Sequence, residues 1–386
     1  MQTRPTIAHS VSFFLFLTGS WIYNVIINEK KTHPIVFAEN RENEAIFPFK
    51  DLYCENKIGR VGILINSFVS NRFSLDYSPF RYIISKIEKV KIIHSHFGNR
   101  GYYDLTLAKK LKVPHLISFY GYDAWQLPKM DVEWITRYKT LFSRGDLFLA
   151  EGHFMLNRLC ELGCPADKAR VLKIGVDLNT IEFIPRQIGK DGLVNILIAG
   201  TFTEKKGIPY ALEAIGKLKD RFPNIRVVII GDSSPKIPSS FEEKTRIINI
   251  INKYGMESIV SMLGYQPYTH LINESKSCHI FLSPSVHAKN GDAEGGCPVI
   301  ITEMSAAGMP IISTHHCDIP DVVIDGKTGF LAKEKDTDEL AAKIEHLIEN
   351  SNRWREIGEA GRKHVESEFN LFTQVDKLED LYLEFL

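Results

Sequence analysis

From Ile225 to Ile230 the chain reads Ile-Arg-Val-Val-Ile-Ile. A strand this apolar has no face to give to water, so it belongs in a sheet covered on both sides. Similar short β-branched runs recur along the chain with helical patterns between them, the pattern of parallel sheets wrapped by helices. In the first half the strand candidates are Thr6–Val11, Pro34–Ala38, Val61–Ile65, Lys91–His94, His115–Phe119 and Leu147–Ala150, with helices over Tyr82–Val90 and Tyr103–Leu111. Val171–Ile174 then runs into Gly175-Val176-Asp177. The polar, glycine-bearing stretch Arg186–Gly192 breaks the pattern and reads as an interdomain linker. The alternation then restarts with a strand at Val194–Ala199. Ile208, Leu212, Ile215, Leu218 and Phe222 follow at steps of four and three, one face of a helix. Later strands fall at Ile280–Leu282, Pro310–Ser313 and Phe330–Leu331, and later helices at Glu339–Leu347, Trp354–Val365 and Phe372–Leu386.

A chain of 386 residues is long enough for two cores. Its 47 basic and 47 acidic side chains cancel, which argues against a dedicated nucleic-acid binder. The six cysteines include no CxxC pair and read as buried, reduced thiols of a cytosolic protein. The apolar run Val11–Leu17 is too short to span a bilayer, and Trp21, Tyr23 and Asn24 follow it in place of a small-residue cleavage site. It reads as a first buried strand with its exit loop. No strand is followed by GxGxxG, which disfavours a nicotinamide enzyme, and GxxxxGK[ST] is absent.

The segment Asn290–Pro310 carries the most chemistry. Gly295 and Gly296 permit close approach of a ligand to the backbone, Pro298 suits a first helical position, and Gly308 with Pro310 stops the helix. The short helix between them aims free N–H groups and its positive dipole end at the loop, an anion site fit for a pyrophosphate. Glu294 and Glu303 flank that turn and can accept hydrogen bonds from sugar and ribose hydroxyls. Gly200-Thr201 and Lys205-Lys206-Gly207 lie between a strand and a helix, where Lys205 reads as the surface member of the pair. In the first half, His94-Ser-His96-Phe97-Gly98 and Ser118-Phe-Tyr120-Gly-Tyr-Asp123 sit at strand ends, where open α/β sheets place ligands. His94 and His96 share one strand face, which suits buried core histidines or a metal pair, with no third ligand evident nearby. The basic residues Arg81, Lys86, Lys89, Lys91, Arg100, Lys109, Lys110 and Lys112 read as solvated helix faces or as a patch for anionic lipid.

Glu294-Gly-Gly-Cys-Pro298 with Glu303, Gly308 and Pro310 resembles the Glu–Glu signature of glycosyltransferase family 4, with eight residues between the glutamates where seven are usual. His316-Cys-Asp-Ile-Pro320 resembles a subgroup motif that accompanies the longer spacing. Gly200 to Gly207 is similar to the family's GR…KKG element, with Lys206 matching its lysine and Thr201 standing in place of its arginine. Tyr120 stands where a histidine is common, and Asp123 matches.

The resemblance implies two Rossmann-like domains facing across a cleft, the GT-B fold. The domains expected are 1–186 on the acceptor side and 187–371 for the nucleotide sugar, with 372–386 crossing back as a helix. It implies a retaining hexosyltransferase that moves sugar from a nucleotide diphosphate sugar to a glycan or polyprenyl-linked acceptor in cell-surface polysaccharide biosynthesis. Glu294, His96 and Asp123 are the implied catalytic residues. The donor falls to Glu303, Lys206, Thr201, Gly200, Gly295, Gly296, Cys297, Pro298, Val299, Gly264, Tyr265 and Gln266, and the acceptor side to Tyr120 and Gly19. No metal or cofactor is expected, and the place is the cytoplasm, with peripheral contact at the plasma membrane. The competing functions are a catalytically silent GT-B-like nucleotide-sugar-binding protein and a sugar-nucleotide epimerase.

Overall fold

The computed structural model describes residues 4–16, 19–57, 59–72 and 76–386. The chain divides into two compact units, Met1–Gly175 with Leu371–Leu386, and Val176–Asn370. Each is a parallel sheet between helices.

The first unit runs β1 (Thr6–Phe14), α1 (Ser20–Ile27), β2 (His33–Arg41), β3 (Leu52–Cys54), α2 (Gly59–Arg72), α3 (Pro79–Ile87), β4 (Val90–His96), α4 (Gly98–Leu111), β5 (His115–Ser118), α5 (Gln126–Met130), α6 (Glu133–Arg144), β6 (Leu147–Ala150), α7 (His153–Glu161) and β7 (Ala169–Val171). Its strands lie in the order β3-β2-β1-β4-β5-β6-β7, all parallel. The order reverses between β1 and β4, so a crevice opens at their C-terminal ends.

The apolar run at the N-terminus is the second half of β1 as far as Phe14, while Leu17 lies outside the described residues. The expected strand Val61–Ile65 is instead part of helix α2. Four apolar residues and a glycine do not distinguish strand from helix by period. In α2, Leu64 and Phe68 lie one turn apart, and both are exposed. Among the described residues no helix is long and apolar enough to cross a membrane.

The second unit runs β8 (Val194–Ala199), α8 (Ile208–Leu218), β9 (Ile225–Ile230), α9 (Ser239–Tyr254), β10 (Val260–Met262), α10 (Tyr268–Ser275), β11 (Ile280–Leu282), α11 (Val299–Ala306), β12 (Ile311–Thr314), α12 (Ile319–Val322), β13 (Gly329–Ala332), α13 (Thr337–Glu349) and α14 (Trp354–Glu368). The parallel order is β10-β9-β8-β11-β12-β13, with its reversal between β8 and β11. Ile196, Ile198, Val227 and Ile229 pack under α8 on one face, and Leu197, Phe281 and Ile311 pack under α11 on the other. That two-sided cover is what the unbroken apolar strands require.

Arg186–Gly192 is not a linker between the units. Arg186 is 3% exposed, and its guanidinium donates to the carbonyls of Ser275, Lys276, Cys278 and Ala307. Those carbonyls end α10 and α11, where a cation meets the negative ends of two helix dipoles. The stretch is therefore tied to the second unit, and the boundary moves from 186 back to 175. Val176 already donates to the Phe369 carbonyl at 2.8 Å within that unit.

The last helix, α15 (Leu371–Leu383), belongs to the first unit. Leu378 and Tyr382 pack against Ile7, Ile92, Leu116 and Leu149. One oxygen of Glu379 accepts the backbone N–H groups of Lys30, Lys31 and Thr32 at 2.8, 2.6 and 2.9 Å. Those amides have the carboxylate as their anchor, so Glu379→Ala leaves three donors unmet, that of Thr32 buried. We expect a loss of about 2–4 kcal/mol, read as a lower urea midpoint at unchanged slope. A midpoint equal to the wild type would show that the helix is held by its apolar face alone.

Candidate active site

The two reversal points hold most of the expected site residues. In the second unit, the loop after β8 meets the loop after β11. Gly207 makes this possible: its φ is +66°, and a Cβ there would lie 1.8 Å from the Pro284 carbonyl oxygen. Ser285 and Lys206 are thereby brought to Glu294. Lys206 Nζ donates to Glu294 at 2.9 Å and Ser285 Oγ donates to its other oxygen at 2.9 Å, with the Glu294 side chain 6% exposed. Burial alone would raise this carboxyl, but Lys206 and Lys205 together hold it below the usual range. Lys205 is not the surface lysine expected: it bonds Asp292 at 3.1 Å and the Ala293 carbonyl at 3.3 Å.

The Glu294 backbone is fixed separately. Its N–H donates to His316 Nε2 at 3.1 Å. His316 must then carry its proton on Nδ1, which faces Glu334 Oε1 at 2.7 Å. The same carboxylate accepts from His287 Nδ1 and from the His287 N–H, both at 2.7 Å. His316 of the His-Cys-Asp-Ile-Pro motif thus positions the glutamate loop.

Gly295, Gly296 and Cys297 lead into α11, whose N-cap is Pro298, one residue earlier in the helix frame than expected. No side chain caps this helix; the Ile301 N–H donates to the Pro298 carbonyl at 2.9 Å, and the amides of Val299 and Ile300 at its N-terminus are placed to meet an anion. Glu303 lies one turn further on and accepts from Tyr268 Oη at 3.0 Å. Burial pushes its carboxyl up to about 7, against the small opposing effect of Tyr268. Gly264 follows β10 and takes the Gly231 N–H on its carbonyl at 2.9 Å, and Gln266 folds back onto the Leu263 carbonyl. Tyr265 is half exposed. Gly200 and Thr201 stand between β8 and Lys206, with the Thr201 carbonyl accepting from Thr203 N–H.

In the first unit, β1 and β4 pair with His9 opposite His94. A buried chain of hydrogen bonds results. Glu29 Oε1 lies 2.7 Å from His9 Nε2, His9 Nδ1 lies 3.0 Å from His96 Nε2, and His96 Nδ1 lies 2.7 Å from Tyr120 Oη. His94 bonds Tyr382 and Ser118. Burial, then the neighbouring imidazoles, lowers the His94 and His96 pKa values well below the ordinary histidine range. Sequence reasoning found His94 and His96 but missed His9 and Glu29, because only the register of β1 on β4 brings them there. Tyr120 is the half-buried end of this chain, flanked by Phe97 and by Trp21 of α1, the helix that Gly19 precedes.

Two of the expected catalytic residues, Asp123 and His96, are buried. Asp123 is fully buried, and its oxygens accept the backbone N–H groups of Gly98 at 2.7 Å and Tyr120 at 3.0 Å. It shapes the Tyr120 loop. Burial raises its carboxyl to about 6 despite those amides. His96 is also buried, with its Nδ1 2.7 Å from Tyr120 Oη. The basic patch is smaller than expected as well. Arg81 and Arg100 are buried on Asp104, Glu55 and Glu39, which leaves the exposed lysines 86, 89, 91, 109, 110 and 112 near the edge where β4 and β5 begin.

Among the described residues two groups are close enough to ligate an ion, His9/His94/His96 and His287/His316/Cys317. The first supplies the third ligand that the sequence did not reveal beside His94 and His96. Each ring nitrogen of that trio has a hydrogen-bond partner. In the second group, His316 Nε2 takes the Glu294 amide.

Residues 180–364 match the family model "Glycosyl transferases group 1", and residues 31–180 match "Glycosyltransferase Family 4". The chain is 30% identical over 290 residues to a protein of Escherichia coli named "Putative colanic acid biosynthesis glycosyltransferase WcaL", covering 73% of this chain and 68% of the relative. It is 30% identical over 281 residues to the amylovoran biosynthesis glycosyltransferase AmsK of Erwinia amylovora, covering 71% of this chain and 65% of the relative. The chain thus spans about two thirds of these curated relatives. The structure of Anabaena HepE in complex with UDP and glucose superposes with a TM-score of 0.77 at 14% identity, covering 98% of this chain and 100% of that one. A glycosyltransferase from Rickettsia africae gives 0.76 at 20%, covering 99% and 98%.

The Lys206–Glu294 pair makes a measurable prediction. A depressed carboxyl contributes stability above its unfolded pKa of about 4.5 and loses it as pH falls through the lower folded value. Lys206→Met removes much of that depression. We expect a loss of about 1–3 kcal/mol at pH 7, shrinking as the pH falls below about 4. A deficit that stays constant from pH 7 to 3.5 in urea titrations would place the effect outside this pair.

Proposed function

We propose, from the premise that this chain belongs to the GT-B glycosyltransferases of the family 4 type, that it moves a hexosyl group from a nucleotide diphosphate sugar to a glycan or lipid-linked acceptor during cell-surface polysaccharide assembly. The polysaccharide context comes from the names of its relatives, which include a capsular polysaccharide glycosyltransferase of Staphylococcus aureus. One observation carries the donor reading: a buried carboxylate, Glu294, is held by Lys206 beside the uncapped N-terminus of α11. HepE, with the same fold, is solved with UDP and glucose.

On this reading the diphosphate takes the amides of α11 and the ammonium of Lys206. Glu294, released from Lys206, accepts hydroxyls of the sugar. Glu303 accepts hydroxyls of the ribose with the oxygen that Tyr268 leaves. The leaving diphosphate carries its charge on Lys206 and the helix end without a divalent ion, and transfer retains the anomeric configuration. No carboxylate is assigned as a covalent nucleophile.

Glu303 gives the direct test of the donor site. Its carboxyl sits near 7 in the free protein, so below that pH a proton must be displaced before it accepts ribose hydroxyls. Calorimetric affinity for UDP-glucose or its GDP counterpart should therefore rise a few-fold between pH 6 and 8. Glu303→Gln should flatten the profile, and Glu303→Ala should cost about 1–3 kcal/mol. Unchanged affinity in the alanine variant would remove Glu303 from the ribose. Transfer itself is read by proton NMR of the first product formed in EDTA. A product of inverted anomeric configuration, or turnover that returns only with manganese, would overturn the retaining, metal-free reading.

A further inference from the structure

Glu294 is followed by Gly295, at φ +83°, and by Gly296. Two glycines in a row have no side chains to fix the backbone of the turn into α11. The restraint has to come from outside the turn, and two consecutive residues after β12 supply it. His316 Nε2 accepts the Glu294 N–H at 3.1 Å. Cys317 Sγ lies 3.2 Å from the same nitrogen. That nitrogen accepts an amide and so carries no hydrogen, which makes the contact an S–H donated by the thiol. Burial pushes the Cys317 thiol up, so the sulfur keeps its hydrogen at neutral pH. The Gly295 N–H donates to the same sulfur, the largest influence that opposes burial there.

The bonds run in one sense. Gly295 N–H goes to the sulfur, the S–H to imidazole Nε2, and imidazole Nδ1–H to Glu334 Oε1 at 2.7 Å. Each donor in such a series polarises the next. Glu334 follows β13, so the glycine turn is tied through two side chains to the segment that leaves that strand. The backbone of Cys317 is consistent with a side chain in use. It is 7% exposed with φ +46°, in the left-handed region. Glycine would adopt that conformation without strain but would bring no sulfur.

We propose that Cys317 is a positioning residue of the glutamate loop, which together with His316 clamps the consecutive amides of Glu294 and Gly295 and so aims the Glu294 carboxylate. The use of that carboxylate on the donor sugar rests on the transferase reading above, whereas the clamp does not.

Amide hydrogen exchange, followed by NMR on the unliganded full chain, reads the clamp directly. Cys317→Ala leaves the Gly295 N–H without its acceptor, and exchange there should speed up about five- to tenfold, the scale of one hydrogen bond. Ile312 of β12 should keep its rate. Cys317→Ser should restore most of the protection, since a hydroxyl both accepts and donates. An unchanged Gly295 rate in the alanine variant would overturn the proposal, and so would an equal rise at Ile312, the sign of general loosening. Calorimetry with UDP-glucose and with UDP then reads the consequence for the donor. The alanine variant should lose several-fold more affinity for UDP-glucose than for UDP, and the serine variant should recover it. Equal losses for the two ligands would overturn the positioning role. A wild-type protein that binds neither would count against the transferase reading, and the exchange rates would still decide the clamp.

Discussion

A carboxylate removed from water must be given a partner or a proton, and both units are arranged around that demand. Glu294 receives Lys206, Ser285 and the field of Lys205. Asp104 receives Arg100 and Arg81, which overcome its burial and hold it far below the ordinary range. Glu334 receives two imidazoles and a backbone amide. Glu379 receives three amides in a row. Asp123 receives amides but no cation, and its carboxyl rises to about 6. Glu303 receives only a tyrosine hydroxyl and rises to about 7. For Glu294 and Asp104 the charge of the lysine or arginine partners outweighs burial, whereas for Asp123 and Glu303, met only by amides or a hydroxyl, burial prevails.

Parallel topology decides which of these groups meet. Strands of a parallel sheet all end at one edge, and where the order reverses two neighbouring loops diverge and leave room. In the second unit that reversal sets the loop after β8 beside the loop after β11, although Lys206 and Glu294 are 88 residues apart. In the first unit it sets β1 beside β4, and the in-register pairing of His9 with His94 places imidazole 9 within reach of imidazole 96. α15 then adds Tyr382 and Glu379 to the same neighbourhood. A helix from the end of the chain thus completes the polar core of the first unit.

Five strands of the second unit were legible because they are largely buried and mostly apolar, whereas the part-exposed edge strand β10, Val-Ser-Met, was not found. Glu294, Glu303 and Lys206 were legible because their spacing around glycine and proline is local. Arg186–Gly192 was misread because polarity in a stretch of sequence does not say whether its donors meet water or the carbonyls at two helix ends. Val61–Ile65 was misread because a short apolar run fits either period. His9 and Glu29 had no local signal at all: one is a polar residue in an apolar strand, the other a loop acid, and their meaning depends on strand register. Lys205 shows the same limit, since only its neighbours Asp292 and Ala293 take it off the surface.

Thr201 and Lys205 belong to one argument about charge. The family places an arginine where this chain has Thr201, which removes one cation from the loop after β8. Lys205 is held beside the same loop, close enough to Glu294 to lower its carboxyl, yet it is matched by Asp292. The four side chains Lys205, Lys206, Asp292 and Glu294 are therefore balanced before any ligand arrives. On the proposed reading, a diphosphate unbalances them unless Glu294 is satisfied by something else. Sugar hydroxyls can do that, and a bare nucleoside diphosphate cannot. The loop would then favour the intact donor over the departing diphosphate by the strength of the Lys206–Glu294 bond, which re-forms when the sugar has left. On that same reading, losing the arginine would weaken the hold on the diphosphate, and a pair that closes again behind the transferred sugar would weaken it further.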